Sequence, residues 1–516
     1  MQATIPSEVD VLVVGGGING TGIARDLAGR ALSVLLCEQH DLASHTSSSS
    51  TKLIHGGLRY LEHYEFSLVR KALAEREVLL KSAPHIMSPL RFVMPHDPTM
   101  RPAWMIRAGL FLYDHLARRE WLPPSHAVDL ARHPAGAALK PQFTRGFVYS
   151  DGWVDDARLV VLCAVDARAR GATVSTRWRC ERARVDGRGW SATLRGAGGD
   201  ERTVCARALV NATGPWASSF LHRQLGEPRA QALRLVKGSH IVVPRLFNHD
   251  HAYIFQNADR RIIFAIPYEA DFTLIGTTDV ECHGDPGLAE PDAQEVAYLC
   301  EQASRYLARP VSAAAVVWSY SGVRPLLDET GDPSAVTRDY QLAMQSDPAP
   351  LLTVWGGKIT TFRKLAEQAA DRICAALRVR AARWTEGAFL PGGDLQGWIA
   401  PSGRPDVDIQ RFQHALAVRC PELTTSLCRR WARSYGSLVQ RLLDDPAGLG
   451  AEVAPGLYEA ELRYLCDHEW ARAADDVLWR RTKLGLHLDA PSRAAVGRWL
   501  EHRTRAAGPT VRLGAN

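Results

Sequence analysis

Residues 10–38 read DVLVVGGGINGTGIARDLAGRALSVLLCE, and the architecture of the whole chain can be worked out from them. Two aliphatic runs, 9–14 and 33–37, are typical of parallel strands that are buried on both faces. Between the runs lie three glycines in G-x-G-x-x-G spacing: Gly15, Gly17 and Gly20. They allow a tight turn, a close approach of backbone to pyrophosphate, and close packing of the helix predicted over about 20–29.

Glu38 closes the second strand, at the distance from the glycines where a carboxylate accepts the ribose hydroxyls of an adenosine. The helix N-terminus points its N–H groups at the diphosphate, where the helix dipole favours negative charge. Glycine spacing alone is a weak signal. Strand, turn, helix, strand and terminal acid together predict a dinucleotide site.

The chain has 516 residues, 46% hydrophobic and 23% charged, which suits two or three structural units with a sizeable core. Its net charge of +6 is modest and dispersed. That balance fits anionic ligands or an anionic membrane surface, and the absence of long basic runs argues against nucleic-acid binding. The ten cysteines lack C-x-x-C or zinc spacing, which predicts reduced thiols and no metal site.

The first strand begins almost directly after Met1, so no secretory leader is expected. No run approaches the roughly 18 to 20 apolar residues of a membrane-spanning helix, so any membrane contact is expected to be peripheral. Residues 100–121 are apolar and aromatic with arginines around them. They are either an interfacial helix with Trp104, Leu110 and Phe111 in lipid, or a core helix with solvated arginines.

Four loop segments carry residue types that suit a ligand site. The hydroxyl-rich run at 44–51 can approach a phosphate or a flavin ring closely. HGGLRY at 55–60 combines permissive glycines with an arginine that can bind an oxyanion bidentately. The ATG run at 212–214 ends an apolar strand, and LLTVWGGKITTFR at 351–363 predicts a strand, a glycine turn and a second helix N-terminus.

The pattern changes near Leu390. PGGDLQGW and PSGRPD are linker-like, and the residues from about 409 to 500 have helical periodicity. We therefore predict a domain boundary near Leu390 and an all-α C-terminal domain over 391–516. Before the boundary, 236–244 and 261–278 predict strands of a second, substrate-facing region.

Taken together, these stretches resemble the FAD-dependent, membrane-associated glycerol-3-phosphate dehydrogenases of the respiratory type. The matching runs, spread over about residues 9 to 370, are VVGGGINGTGIARDLAGR, SSSSTKLIHGGLRYLEHYEFSLVRKALAERE, NATGPWA, KGSHIVVP, GTTD, YSGVRPL and VWGGKITTFRKLAE. The resemblance implies an α/β fold with a discontinuous Rossmann-like FAD-binding domain interleaved over 1–390 with a mixed or antiparallel-sheet substrate domain of the glycine-oxidase type. The substrate-facing segments are then about 80–150 and 230–340.

The resemblance also implies oxidation of sn-glycerol 3-phosphate to dihydroxyacetone phosphate by hydride transfer to FAD, with reoxidation by ubiquinone in the membrane. Carried over by motif, the substrate-side residues are Arg59, Tyr60, His240, Arg324, Arg338 and Lys358. The residues expected to bind FAD are Gly15, Gly17, Gly20, Glu38, Ser48, Thr51, Gly214, Gly357, Lys358 and Thr360. The serine run departs from relatives that often carry a small residue such as alanine there, and we expect little consequence.

The residues also make chemical sense without the family. Three arginines offer bidentate forks for a phosphate dianion: Arg59, Arg324 and Arg338. Alcohol oxidation needs a base with a pKa near pH 7, and the candidates are His240, His55 and Lys358. Lys358, or the helix after it, could instead stabilise the reduced flavin. Each residue also has a structural explanation, because arginines form surface ion pairs and histidines satisfy internal hydrogen bonds.

Three rival functions remain open at this stage. One is an oxidase of the same substrate that reduces oxygen. Another is an amine or amino-acid oxidase on the same fold, which the surplus of arginines disfavours, and the third is a non-catalytic dinucleotide-binding redox sensor. The expected location is the cytoplasm, peripherally on the inner face of the cytoplasmic membrane. The oligomeric state is left open, with a homodimer among the alternatives.

Overall fold

The computed structural model describes residues 4–99, 101–187, 189–227, 231–259, 261–327 and 339–506. The strands in chain order are β1 (Glu8–Val14), β2 (Val34–Glu38), β3 (Leu53–Ile54), β4 (Met87–Pro95), β5 (His126–Asp129), β6 (Arg145–Val154), β7 (Thr173–Thr176), β8 (Trp178–Asp186), β9 (Gly189–Gly196), β10 (Glu201–Asn211), β11 (Leu233–Pro244), β12 (Ala252–Gln256), β13 (Ile262–Tyr268), β14 (Phe272–Gly276), β15 (Val280–Glu281), β16 (Trp318–Leu327), β17 (Gln341–Gln345), β18 (Leu351–Trp355), β19 (Glu452–Ala454) and β20 (Leu457–Tyr458). The α-helices are α1 (Ile18–Gly29), α2 (Phe66–Ser82), α3 (Ala103–His115), α4 (Asp156–Ala169), α5 (Ala217–Gln224), α6 (Ala293–Tyr306), α7 (Phe362–Ala376), α8 (Pro405–Arg419), α9 (Thr425–Tyr435), α10 (Gln440–Leu443), α11 (Glu459–His468) and α12 (Ala490–Ala506).

The first sheet has eight strands, and its main path runs β17-β18-β10-β1-β2-β7. β1 pairs in parallel with β2 and β10, and β10 pairs in parallel with β18. β8 and β9 extend β10 as an antiparallel hairpin. Because parallel strands share their carboxyl edge, the glycine turn after β1 and the acid at the end of β2 lie side by side.

Alternate side chains of β1 enter two different cores, which explains its unbroken hydrophobic run. Val11 and Val13 pack with α1, α4 and α7 on one face of the first sheet. Leu12 and Val14 pack on the other face with the β8–β9 hairpin and α5. A strand covered on both faces needs apolar residues at every position.

The second sheet has ten strands, and its main path runs β15-β11-β14-β13-β12-β4-β6-β3, with β16 added on β11 and β5 on β6. Its strands are mostly antiparallel, although β12 pairs in parallel with β4. They come from 53–54, 87–154 and 233–327, while the strands of the first sheet come from 8–38, 173–211 and 341–355. The chain therefore passes repeatedly between the two sheets. α6 covers part of one face of the second sheet.

The last five helices, α8 to α12, share a core of their own that runs in sequence from Leu395 to Leu500. Trp431 and Tyr435 are fully buried in this core. Both donate to the carboxylate of Glu461, at 2.9 and 2.6 Å. We call residues 391–506 the C-terminal unit. It also holds the short β19–β20 hairpin, which the helical pattern did not predict.

α3 is shorter than the predicted 100–121 helix, and neither interpretation of that segment is complete. Its inner face, with Ile106, Leu110 and Tyr113, packs into a core, so the expectation that Leu110 faces lipid is wrong. Its outer face leaves Trp104 70% and Phe111 58% exposed. The helix is apolar on both faces, which is why periodicity could not assign it. Across the described residues, none of the helices is long and apolar enough to cross a membrane.

Candidate active site

The turn between β1 and α1 can only be built from glycine at two of its positions. Gly15 has a φ of 114°, in the left-handed region, and a Cβ there would lie 2.5 Å from the carbonyl oxygen of Ala212. A Cβ on Gly20 would lie 1.9 Å from the carbonyl oxygen of Gly15. The glycines therefore let β1, β10 and α1 meet closely, as a dinucleotide turn requires. Gly17 is the residue that precedes α1.

Glu38 borders this turn. Its Oε2 atom accepts a 2.7 Å hydrogen bond from the N–H of Gly16, and its Oε1 atom accepts one of 2.7 Å from the N–H of His40. Burial raises the pKa of Glu38, and these backbone N–H groups act against that rise. The carboxylate is thus fixed at the strand end where ribose hydroxyls are recognised in this class of fold.

A second glycine turn follows β18 and contacts the first. Gly356 and Gly357 have φ of 69° and 110°. The Nδ2 atom of Asn19, at the start of α1, donates to the carbonyl oxygen of Gly356 at 3.2 Å, and a Cβ on Gly357 would lie 2.7 Å from the same atom. The Oδ1 atom of Asn19 is buried and has no hydrogen-bond partner within the described ranges. Such a cradle of close backbone with an unused polar atom fits a dinucleotide such as FAD.

Lys358 joins the second glycine turn to the HGGLRY run. Its Nζ atom lies 3.9 Å from the centroid of the Tyr60 ring, a cation–π geometry. Thr360 is buried, and its hydroxyl accepts the N–H of His55 at 3.4 Å, across 305 residues of sequence. His55 itself is half-buried, and burial lowers its pKa. These residues therefore lie together at one place, although the sequence separates them widely.

His240 lies in a row of aligned residues across the second sheet. In the strand registers it pairs with Tyr320 on β16 and with Gly276 on β14, which in turn pairs with Phe264 on β13. Directly paired residues point to one face of a sheet. The imidazole of His240 stacks on Tyr320 with centroids 4.9 Å apart, and a Cβ on Gly276 would lie 2.1 Å from it. Phe264 contacts His55 edge-on at 6.3 Å, so the row reaches the Lys358 region.

The protonation of His240 follows from its surroundings. Burial holds its pKa well below the ordinary value, and the positive charges of Arg324 and Lys52 act in the same direction. The imidazole is therefore neutral around pH 7. Its Nε2 atom lies 3.0 Å from the hydroxyl oxygen of Thr51. Its Nδ1 atom is buried without a hydrogen-bond partner in the part of the chain that the structure describes. A neutral imidazole can accept a proton, although burial and the two cations hold its pKa below the value near pH 7 that suits a general base.

Arg324 crosses β11 at Gly238, where a Cβ would lie 2.4 Å from its Nη2 atom. Its Nη1 atom donates to the carboxylate of Asp279, and its Nη2 atom donates to the hydroxyl of Thr277 at 3.1 Å. Arg324 remains about one-third exposed. The guanidinium is thus oriented by its neighbours but still accessible to a ligand, which suits recognition of an oxyanion.

The hydroxyl-rich loop lies over β16. Tyr320 donates to the carbonyl oxygen of Ser50 at 2.9 Å, and Thr46 donates to that of Val323 at 2.8 Å. Lys52, fully buried, donates to Asp156 at 2.8 Å and to the carbonyl oxygen of Ser48 at 3.0 Å. This buried ion pair fixes the loop, and Thr51 thereby lies against His240.

The remaining predicted residues are placed as follows. Gly214 has a φ of 60° and begins the turn that leads into α5, next to the carboxyl end of β10. Arg59 lies in the turn Leu58–His63 and is partly exposed. Arg338 lies outside the described residues, so its predicted role as a phosphate ligand stays a prediction. The structure brings Tyr60, Lys358, His55 and Thr360 together in one group and Thr51, His240 and Arg324 in another.

Three further residues of this region were not assigned a role from the sequence. Asn19 and Asp279 stand inside quoted motifs, and their polar side chains next to glycine turns were a usable signal. Tyr113 had none. Its hydroxyl accepts the N–H of Gly56 at 2.8 Å and donates to the carboxylate of Asp151, yet in sequence it is an aromatic residue of an apolar helix.

The paired glycine turns, the acid that ends β2 and the cluster of cationic and imidazole side chains define a flavoprotein oxidoreductase. Comparison with known proteins agrees. The family model described as "FAD dependent oxidoreductase" matches residues 10–363, and the model described as "C-terminal domain of alpha-glycerophosphate oxidase" matches residues 383–502.

Three similar proteins show the family. A glycerol-3-phosphate dehydrogenase of Pseudomonas aeruginosa is 52% identical over 98% of each chain. A D-erythritol 1-phosphate dehydrogenase of Brucella abortus is 46% identical over 97% of this chain and 99% of its own. The crystal structure of a glycerol-3-phosphate dehydrogenase from Bacillus halodurans complexed with FAD has a TM-score of 0.76 at 26% identity, covering 96% of this chain and 91% of that one. The chain belongs to the family of FAD-dependent glycerol-3-phosphate dehydrogenases.

The family resemblance, the α/β fold class with its helical C-terminal unit, and the dependence on FAD are therefore confirmed. Membership of an oxidoreductase family also makes the non-catalytic redox sensor wrong as an interpretation.

Proposed function

We propose that the chain oxidises sn-glycerol 3-phosphate to dihydroxyacetone phosphate and passes the electrons to ubiquinone. One observation carries the proposal: the buried imidazole of His240 packs against Gly276, and the next residue, Thr277, accepts from the accessible guanidinium of Arg324. A secondary alcohol with a phosphate needs a proton acceptor next to a cation of this kind. The named relatives support the substrate class.

FAD, when bound, supplies the hydride acceptor. The chain's own residues supply binding, orientation and proton transfer. We assign phosphate binding to Arg324 with Arg59 and, by motif, Arg338. We assign the alcohol proton to His240, with His55 and Lys358 as the alternatives, and Tyr60 to substrate contact. The residues assigned to FAD are Gly15, Gly17, Gly20, Glu38, Ser48, Thr51, Gly214, Gly357, Lys358 and Thr360. We further propose that 1–390 forms the interleaved FAD and substrate domains and 391–516 the C-terminal domain.

The test is anaerobic. Purified, FAD-loaded protein is mixed with sn-glycerol 3-phosphate, and the oxidised-flavin absorbance band is followed. Bleaching that a soluble ubiquinone analogue reverses faster than oxygen does supports both the substrate and the acceptor. Faster reversal by oxygen identifies an oxidase, and the absence of bleaching overturns the substrate assignment.

A second polyol phosphate belongs in the same experiment, because one relative is named as a D-erythritol 1-phosphate dehydrogenase. Both substrates share a phosphate and a secondary alcohol but differ in length. A higher rate of bleaching per unit concentration with D-erythritol 1-phosphate would transfer the proposal to that substrate. A higher rate with glycerol 3-phosphate supports the present one.

We propose that the acceptor is reached from a membrane surface on which the outer face of α3 lies. The patch consists of four exposed apolar side chains of α3, Trp104, Met105, Phe111 and Leu112. Tyr64 and Phe66, before and at the start of α2, are also exposed. Arg107 and Arg118, on and just after α3, are also exposed. An apolar face bordered by arginines is complementary to an anionic lipid surface, with rings in the acyl region and guanidinium groups at the headgroups.

Co-sedimentation with vesicles tests this surface. The wild-type protein is expected to bind vesicles that contain phosphatidylglycerol more tightly than pure phosphatidylcholine. The double substitution Trp104→Ser and Phe111→Ser should weaken binding by at least about tenfold, since each large apolar side chain contributes about 1.5–3 kcal/mol when removed from water. Leu288→Ser is the control, because Leu288 is 80% exposed but lies in another turn. Equal binding by all three proteins would rule the patch out.

Association with the inner face of the cytoplasmic membrane and assembly as a homodimer stay predictions. Light scattering of the purified protein, with and without detergent, measures its oligomeric state directly.

A further inference from the structure

The loop that follows β2 is held from outside by the C-terminal unit. Asp41 is 3% exposed, and its Oδ2 atom accepts from Nε of Arg480 and Nη1 of Arg481, both at 2.6 Å. Its Oδ1 atom accepts from Nη2 of Arg481 at 2.8 Å. Arg481 is fully buried and also donates to the carbonyl oxygen of Glu469. Two guanidinium groups therefore fix one buried carboxylate, one of them bidentately.

The same loop builds the first glycine turn. The N–H of Ala43 donates to the carbonyl oxygen of Gly16 at 3.2 Å, while the N–H of Gly16 donates to Glu38. A Cβ on Gly16 would lie 2.8 Å from the side chain of Glu38 and 3.0 Å from that of Leu42. Residues 38–43 thus wrap around Gly16 without spare space, and a shift of the loop would move both the ribose-side carboxylate and the turn.

A second connection reaches the same loop from the end of β7. The N–H of Arg177 donates to the carbonyl oxygen of His40 at 2.8 Å. The Nη2 atom of Arg177 donates to Asp476 at 2.7 Å, and Asp476 also accepts from Arg480 at 2.5 Å. The segment 469–483 of the C-terminal unit therefore contacts the loop directly, through Asp41, and indirectly, through Arg177.

A buried ion pair adds little net stability compared with an apolar pair of similar volume, because both charges must be desolvated. What the arginine fork does supply is a fixed geometry. We propose that Arg480 and Arg481 are positioning residues for the adenosine side of the FAD site, and that the C-terminal unit retains the cofactor by holding residues 38–43. This inference rests on the proposed assignment of Glu38 to FAD.

Coupling between two sites is reciprocal. If the C-terminal unit strengthens FAD binding, bound FAD must equally stabilise the docking of 469–483. Hydrogen exchange of the wild-type chain tests this without any substitution. Removal of FAD is expected to raise amide exchange in 38–44 and in 469–483 more than in α9, and re-addition of FAD should restore it. Exchange in 469–483 that does not respond to FAD overturns the proposal.

Variants give the second measurement. Arg481→Met alone would leave Asp41 as a buried, partly unpaired charge and could unfold the protein. The double variant Asp41→Asn with Arg481→Met removes both charges and avoids that penalty. We expect its FAD dissociation constant, followed by flavin fluorescence, to rise roughly 5- to 150-fold, the usual range of coupling between sites. The melting temperature of its FAD-free form should match that of FAD-free wild type.

Arg503→Met is the matched control, because Arg503 pairs with Asp467 at 2.7 Å on the surface of the same unit. It should bind FAD as the wild type does. An unchanged FAD dissociation constant in the double variant overturns the inference while leaving the proposed function in place. Failure of the wild-type protein to bind FAD would instead overturn the proposed function. Neither readout depends on turnover.

Discussion

The hydroxyl of Tyr113 accepts the backbone N–H of Gly56 at 2.8 Å, and this contact ties the HGGLRY run to α3. The same hydroxyl donates to the carboxylate of Asp151, which also accepts from the buried Arg76 at 2.9 Å. A Cβ on Gly56 would lie 2.7 Å from the hydroxyl oxygen, so glycine is what lets the ring approach. The helix with the exposed apolar face is therefore joined rigidly to a proposed substrate loop.

Tyr113→Phe is expected to raise KM for glycerol 3-phosphate while FAD content stays unchanged. The substitution leaves a buried N–H and one carboxylate bond unsatisfied, which costs about 1–3 kcal/mol. Steady-state kinetics and flavin content measure the two effects. Tyr268→Phe is the control, since the buried Tyr268 hydroxyl has no hydrogen-bond partner within the described chain. A KM equal to that of the control would remove Tyr113 from substrate positioning.

Arg324→Ala is expected to raise KM about 10- to 100-fold, because hydrogen bonds to a charged group contribute about 1.5–3 kcal/mol each. FAD content should not change. Arg234→Ala is the matched control, because Arg234 lies on the paired strand β11 and forms an ion pair with Glu281 at the surface. If both variants keep the wild-type KM, the phosphate is bound elsewhere, and Arg59 becomes the next residue to test.

A structural feature can be predicted from the sequence when the residues that form it lie close together in the chain. Gly15 and Glu38 belong to one continuous strand–turn–helix–strand unit, so spacing alone predicted their proximity. The neighbours of His240 are set by strand register: Gly276 and Tyr320 flank it only because β14 and β16 pair with β11. The register between strands that are distant in sequence cannot be predicted from a local sequence pattern.

Contacts between the C-terminal unit and the rest of the chain are even harder to predict from the sequence. Asp41 and Arg481 are 440 residues apart, and each reads in isolation as an ordinary surface charge. Burial makes the difference, and burial depends on how the C-terminal unit docks. The outer face of α3 could not be decided for a different reason, because the sequence does not distinguish an exposed apolar side chain such as Phe111 from one in the core.

Lys358→Met is expected to lower kcat with the protein still yellow. The substitution keeps the length of the side chain but removes the charge that lies over the Tyr60 ring and beside the second glycine turn. Loss of a general base or of an electrostatic stabiliser lowers turnover by about 10²- to 10⁴-fold. Lys81→Met is the control, because Lys81 is exposed and pairs with Glu120 at 2.6 Å away from both glycine turns. Equal turnover in the two variants would remove Lys358 from both roles, general base and electrostatic stabiliser, and leave His240 and His55 as the candidates.

The stability of the protein is expected to fall as pH drops below about 6.5, and His85 is a principal cause. Burial lowers the pKa of His85 to about 3, and neither of its ring nitrogens has a hydrogen-bond partner among the described residues. The unfolded chain binds a proton near the ordinary value of 6.5, whereas the folded chain does not. Protonation therefore favours unfolding, and this one group should cost about 2 kcal/mol between pH 7 and pH 5.

Urea unfolding at both pH values checks this. In His85→Gln, the loss of stability between pH 7 and pH 5 should be smaller by that amount, even if the variant is less stable at pH 7. The ring packs against the backbone of Gly392 and Gly436, so some loss at pH 7 is expected from packing alone. His283→Gln is the control, because the side chain of His283 is 85% exposed. If His85→Gln shows the full wild-type pH dependence, the acid sensitivity belongs to other buried histidines, of which His45 and His249, with pKa values lowered by burial to about 4, are the next candidates.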